Sequence, residues 1–81
     1  MTDTYAPLGP IDEAPYFGHE TREVRLAALA AALEGVELGD YDWRIVEWLA
    51  GWDDPTCRTV VSLFWRARRA AVQAEEDVSR G

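Results

Sequence analysis

Hydrophobic residues recur at helical spacing in three segments of the chain, and glycine or proline separates these segments. The first segment predicts a helix from about Glu20 to Glu34, which Thr21 caps and Gly35 ends. This helix has two apolar faces. One carries Leu26, Leu29, Ala30 and Leu33, and the opposite one carries Val24, Ala27, Ala28 and Ala31. We predict that the leucine face belongs to the core and that the smooth alanine face allows another helix to approach closely.

The second segment predicts a short helix from Tyr41 to Ala50, after a break at Gly39. Its large side chains project from one side at helical spacing. They are Tyr41, Ile45, Trp48, Leu49 and Trp52. A domain of this size needs its bulky residues for burial, so we predict that this stripe lies in the core, with Trp48 and Trp52 closing the junction between the helices.

A third helix is predicted to have Asp54 as its N-cap and Pro55 as its first residue, and to extend to about Asp77. A continuous apolar face follows the helical period. It consists of Val60, Phe64, Ala67, Ala71, Ala74 and Val78. The other side of the helix carries Arg58, Ser62, Trp65, Arg66, Arg69 and Gln73. We expect the apolar face to pack and the opposite face to be exposed.

No run of alternating apolar residues predicts a strand, so the pattern indicates an all-α fold of three helices over residues 19–81. The predicted core draws on all three helices. It contains Leu26, Leu29, Leu33, Ile45, Leu49, Val60, Phe64 and Ala67. Residues 1–18 contain three prolines and two glycines without any helical or strand period, which predicts a flexible, partly disordered N-terminal arm. The alternative is that Tyr16 and Phe17 pack on the helices or on a partner.

Charge is distributed unevenly along the 81 residues, which carry a net charge of −7. Residues 1–54 contain twelve acidic and three basic side chains, whereas residues 55–74 contain four arginines and no acid. Residues 75–81 add three acids and one arginine. An acidic chain with one basic segment argues against a general affinity for phosphate but leaves room for a local basic patch.

Residues that carry out catalysis or bind metals are scarce in this chain. Cys57 is the single cysteine, His19 is the single histidine, and the chain has no lysine. The pair Asp53 and Asp54 is explained by a turn and a helix cap, and no spacing typical of a metal, cofactor or nucleotide site occurs. We therefore predict a protein that is not an enzyme and needs no cofactor. The sequence shows neither a signal peptide nor an apolar run long enough to span a membrane, so a cytoplasmic protein is expected.

The third helix provides the predicted interaction site. Trp65 lies among the guanidinium groups of Arg58, Arg66 and Arg69, a combination typical of hot spots at protein interfaces. We predict that these four residues bind a protein partner. The alternative is that the arginines pair with acidic groups of the same chain and that Trp65 folds under the arm. Self-association is a further alternative, because a small domain rich in large aromatics leaves an apolar patch that a second copy would cover.

The second and third helices also loosely resemble a helix-turn-helix, with Gly51 as the glycine of the turn. Four apolar positions match that motif: Val46, Ala50, Trp52 and Val60. Glu47 stands where the motif needs a small residue, and only Arg58 falls in the part of the helix that would face bases. DNA binding is therefore the second choice, after protein binding.

The segment Asp40–Thr56, followed by Val60–Leu63 and Arg66–Arg68, resembles small uncharacterised helical proteins of actinobacteria and their phages. These segments cover about a third of the chain. The use of arginine in place of lysine and the abundance of alanine fit a GC-rich coding source. The resemblance implies an intracellular accessory protein that engages a host protein, and it supplies no catalytic residues.

Overall fold

The computed structural model describes residues 5–15 and 19–80, with side chains described as far as residue 77. It contains three helices, α1 (Arg22–Ala32), α2 (Asp40–Ala50) and α3 (Asp54–Arg80), and these described ranges contain no strand. The predicted all-α three-helix fold is confirmed. None of the helices in the described ranges is long and apolar enough to cross a membrane.

Local hydrogen bonds start each helix. The Thr21 side chain accepts from Val24 N–H at 3.2 Å, and the Asp42 carboxylate accepts from Gly39 N–H at 2.9 Å. At the start of α3 it is Asp53, not Asp54, that accepts from Thr56 N–H, at 2.9 Å. The predicted cap is therefore one residue off, and the Asp54 carboxylate is available for contacts with other parts of the chain.

Helix α1 packs against both α2 and α3, which make few contacts with each other. Near the start of α1, Arg25 reaches both the last residue of α2, Ala50, and the first residue of α3, Asp54. At the other end of α1, Arg68 of α3 donates to Ala32 O at 2.8 Å. Helix α1 therefore runs antiparallel to α2 and in the same direction as α3.

The core lies where α1 meets its two neighbours. Its buried residues are Ala6, Leu29, Ala32, Val46, Ala50 and Val61. Half-buried hydrophobic residues surround this centre, and five of the eight predicted core residues are among them: Leu26, Leu33, Leu49, Val60 and Phe64. With Leu29 fully buried, six of the eight predictions are confirmed, whereas Ile45 and Ala67 are exposed.

Of the predicted core stripe of α2, only Leu49 packs on the core, and the helix faces α1 mainly with another side. Val46 and Ala50 are buried, whereas Trp48 and Trp52, which were expected to close the junction, are exposed. Small side chains explain this orientation, because the separation of packed helices depends on the residues at their contact. Ala50 is fully buried beside Arg25 of α1, whose Nε donates to Ala50 O at 2.7 Å, so a small side chain lies where the two helices meet.

Helix α3 is also turned relative to the prediction. The buried positions of α3 are Asp54, Cys57, Arg58, Val61 and Ser62. The predicted apolar face, by contrast, is half-buried only as far as Phe64. Beyond that residue the alanines of this face are exposed, because α3 has 27 residues and α1 has eleven. At 1.5 Å per residue, α3 is about 40 Å long and projects well past the end of α1.

The described part of the N-terminal segment, residues 5–15, has no helix but lies against the helices. Ala6 and Pro15 are buried, and Tyr5 packs on the core cluster. This part of the predicted arm therefore contributes to the core. Tyr16 and Phe17, for which packing was the alternative prediction, lie outside the described residues.

Candidate interaction surface

The outer side of α2 presents a row of large apolar side chains to solvent. This aromatic face contains Tyr41, Ile45 and Trp48, which share one side of the helix because they are separated by four and three residues. Trp52, just past the end of α2, extends the face. Their exposed fractions are 69% for Tyr41, 57% for Trp48, 46% for Trp52 and 38% for Ile45. The rings of Trp48 and Trp52 meet edge to face, with centroids 5.4 Å apart. Contiguous exposed patches of this kind are typical of binding sites.

Hydrogen bonds at the C-terminal end of α2 hold the helix in this orientation. Arg22 donates to Glu47 O at 3.1 Å, Arg25 Nε donates to Ala50 O at 2.7 Å, and the Cys57 thiol donates to Leu49 O at 2.9 Å. The last carbonyls of a helix lack the usual partner one turn on, and positive charge is favourable at a helix C-terminus. Leu49 O also accepts from Trp52 N–H at 3.0 Å. The aromatic face is therefore presented by a helix that α1 and α3 hold in place.

Beneath α2, a buried ion pair connects the starts of α1 and α3. Arg25 Nη1 lies 2.9 Å from Asp54 Oδ1, and Glu20 N–H donates to Asp54 Oδ2 at 2.8 Å. Burial acts to raise the pKa of Asp54, but the hydrogen bonds from Glu20 and Arg25 and the nearby arginine charges together lower it below its ordinary value. Both oxygens of this buried carboxylate accept structural hydrogen bonds, so its role is to hold the helices together.

Arg58 belongs to the interior and not to an exposed face, which corrects the prediction for this residue. It is 2% exposed and donates to Tyr5 O, and its guanidinium carbon lies 4.5 Å from the centroid of the Tyr5 ring. Its Nη2 lies 3.6 Å from Glu20 Oε2. The N-terminal segment therefore covers Arg58, and burial accordingly raises the pKa of Tyr5 to about 12.

The other three predicted site residues do not form one exposed patch with Arg58. Trp65 is half-buried against the core cluster, and the Arg68 guanidinium stacks 5.2 Å from its ring centroid. Arg66 is half-buried and donates to the Ser62 hydroxyl at 3.1 Å, whereas Arg69 is exposed. The alternative prediction, that these arginines pair with acidic groups of the same chain, holds for Arg58, which lies beside Glu20. Arg66 has the Ser62 hydroxyl as its partner and not a carboxylate.

A cleft of about 470 Å³ adjoins the end of the aromatic face. It is lined by His19, Arg25, Gly51, Trp52, Asp53, Asp54 and Pro55. Trp52 thus borders both the aromatic face and the cleft. Cys57 is buried next to this region, and burial raises the pKa of its thiol, which makes it a poor nucleophile. Among the described residues no group of three acidic, histidine or cysteine side chains is arranged to hold a metal ion.

No protein-family model, curated protein or solved structure matches this chain. Its function therefore has to be inferred from the chemistry of its own surface, on which the aromatic face of α2 groups several exposed large apolar side chains.

Proposed function

We propose that this chain is a small, non-enzymatic binding protein and that the aromatic face of α2 is the surface that engages a protein partner. The observation that carries the proposal is the exposure of Tyr41, Ile45, Trp48 and Trp52 on one side of a helix whose opposite side is packed. Tryptophan and tyrosine are enriched among the residues that dominate binding energy, and each offers about 150–250 Å² for burial.

Trp48 is the expected centre of this surface. It lies between Ile45 and Trp52 in the row, and its ring contacts that of Trp52. Hot spots are found near the middle of an interface, where neighbouring contacts exclude water. Arg69 is the exposed member of the predicted arginine group, but it lies on α3. We therefore place it at the edge of the interface with the partner.

Protein binding is preferred to DNA binding because of Arg58. This residue was the only arginine placed to face bases in the helix-turn-helix interpretation, and it is buried under Tyr5. The surface of α2 is apolar and acidic, which is the opposite of what a phosphate backbone attracts. The resemblance to actinobacterial and phage proteins adds a setting to the proposal, namely an accessory protein in the bacterial cytoplasm that engages a host protein.

The experiment compares two truncations of exposed side chains. Trp48→Ala removes the centre of the aromatic face, and Leu63→Ala, with a side chain 51% exposed on α3, is the matched control. The tagged wild-type chain and both variants are used to enrich proteins from an actinobacterial lysate. We expect Trp48→Ala to weaken capture of a specific protein about 30-fold, as for a hot spot of ~2 kcal/mol, and Leu63→Ala to leave it unchanged.

The same lysate proteins recovered equally by Trp48→Ala and by the wild type would contradict the proposal. Thermal unfolding of both variants serves as the check on folding, because exposed positions shift the free energy of unfolding by only about 0.5 kcal/mol.

A further inference from the structure

Acidic side chains surround the aromatic face, and they indicate what kind of partner fits it. Between residues 37 and 53 the chain has five carboxylates and one arginine, Arg44, and all six side chains are exposed. The carboxylates are Glu37, Asp40, Asp42, Glu47 and Asp53. An apolar row with an acidic border is complementary to a surface of the opposite kind, one with apolar anchors and a basic border.

The helical period places these charges on both sides of the row. Asp42 lies one turn before Ile45 along one edge, while Asp40 and Glu47 lie on the other side, beyond Arg44. Asp53 follows Trp52 at the end of the row. A segment lying along α2 would therefore meet Asp42 along one edge and Asp53 past the end of the helix. Along the other edge it would pass the single arginine, Arg44, before it reaches Asp40 and Glu47.

The cleft next to Trp52 adds a place for one cationic side chain. Asp53 lines this cleft and is exposed, and the hydrogen bonds from the Thr56 side chain and backbone lower the pKa of its carboxyl group. A lysine or arginine side chain entering here would meet the Asp53 carboxylate and the ring of Trp52, which also attracts cations. The positive charge of Arg25, which lines the same cleft, is paired with Asp54. Aromatic and acidic groups are thus combined at one position, as recognition of a cationic side chain requires.

A second copy of the chain fits this surface poorly. A symmetric pair would place the same patch of each copy against itself, so the five carboxylates of one copy would approach those of the other. The whole chain carries a net charge of −7, so the repulsion extends beyond the patch. Like charges brought together across an interface are strongly unfavourable.

We infer that the aromatic face receives a positively charged amphipathic segment of another protein, and not a second copy of this chain. This inference rests on the proposed function and specifies the partner for the same surface. The row from Tyr41 to Trp52 is about 16 Å long, which matches three turns of a bound helix. The partner segment then carries apolar anchors on one side and lysine or arginine at its borders.

The test selects ligands without assuming a sequence. A displayed library of random 16-residue peptides is selected on the immobilised full-length chain, with counter-selection on Trp48→Ala, and dissociation constants are measured by fluorescence polarisation. We expect selected peptides to combine apolar residues with an excess of lysine and arginine. Neutralising the border with Asp40→Asn and Glu47→Gln should weaken the binding of these peptides about fivefold. Added salt should make this difference smaller. Glu75→Gln with Glu76→Gln, at the far end of α3, is the matched control and should change nothing.

Three outcomes would overturn the inference. Peptides that need Trp48 but are neutral or acidic, or that ignore the border variant, refute the basic partner and leave the proposed function standing. Selection that yields only peptides independent of Trp48 refutes both. A dimer seen by sedimentation at neutral pH and dissociated by Trp48→Ala identifies a second copy as the occupant.

Discussion

At the scale of single residues, Asp54 and Arg25 show how the interior of a small domain holds charge. Asp54 is 6% exposed, and its oxygens accept from Arg25 and from the backbone of Glu20. A buried charge is tolerated only when it is paired and hydrogen-bonded. Here the pairing also connects segments far apart in the sequence, so removing one partner leaves the other uncompensated.

Replacing this carboxylate tests the ion pair. Asp54→Asn should lower the free energy of unfolding at pH 7 by about 2 kcal/mol, the value of a hydrogen bond to a charged group. Asp53→Asn is the control, because asparagine also caps helices and Asp53 is exposed, so its effect should stay near zero. Urea unfolding measures both. Equal effects of the two substitutions would show that the ion pair adds nothing beyond the cap.

The pH dependence of stability follows from the same group. The folded-state pKa of Asp54 is lowered, so the unfolded chain binds more protons as the solution is acidified. The stabilising contribution is complete above the unfolded-state pKa of about 3.9 and is lost as the pH falls through the folded value. Urea unfolding between pH 7 and pH 3 should show a smaller loss for Asp54→Asn than for the wild type. A parallel decline in both would contradict this assignment.

At the scale of helices, the orientation of α2 depends on small side chains at its contact with α1. Val46 and Ala50 are buried, whereas Tyr41 and Trp48 lie on the outside. The aromatic face is exposed because the other face, with Val46 and Ala50, fits closely against α1. Polar contacts of Arg22 and Arg25 with the last carbonyls of α2 support the same orientation.

Enlarging the contact tests this orientation. Ala50→Leu should destabilise the fold by about 2 kcal/mol, the typical cost of overpacking a filled contact. Ala71→Leu makes the same change on the exposed part of α3 and should have almost no effect. The free energies of unfolding of the two variants are compared by urea unfolding, with the same dependence on urea concentration expected for both. If Ala50→Leu were neutral, α2 would have to pack through its aromatic side, as the periodicity alone suggested.

At the scale of the whole molecule, charge and exposed apolar surface oppose each other. The net charge of −7 opposes contact between copies at neutral pH, whereas the aromatic face favours it. The balance should change near the isoelectric point of about 4.5, where the net charge approaches zero.

Sedimentation velocity tests this balance. The wild-type chain should be monomeric at pH 7 and should associate near pH 4.5, because the repulsion between copies is then largely removed. Trp48→Ala should suppress the association, and Leu63→Ala should not. Association that persists unchanged in Trp48→Ala would show that the exposed end of α3, and not the aromatic face, is the adhesive surface.

The number of helices, their approximate ends and the leucine face of α1 could be predicted from local sequence signals. These features depend on local chemistry: the cap at Thr21, the breaks at Gly35 and Gly39, and the proline at the start of α3. Periodicity also identified which residues share a face. It did so for the row from Tyr41 to Trp52, although the row was assigned to the interior.

Which face of α2 and of α3 points inward depends on how the helices pack against α1. Apolar content alone favours the face with the larger side chains on each helix. Close packing instead buries Val46 and Ala50 on α2, and Val61 and Ser62 on α3. The burial of Arg58 likewise depends on Tyr5, 53 residues earlier, whose ring and carbonyl group give the guanidinium its partners. Shape complementarity and pairing over such distances are not encoded in a helical period, and here they moved the candidate binding surface from α3 to α2.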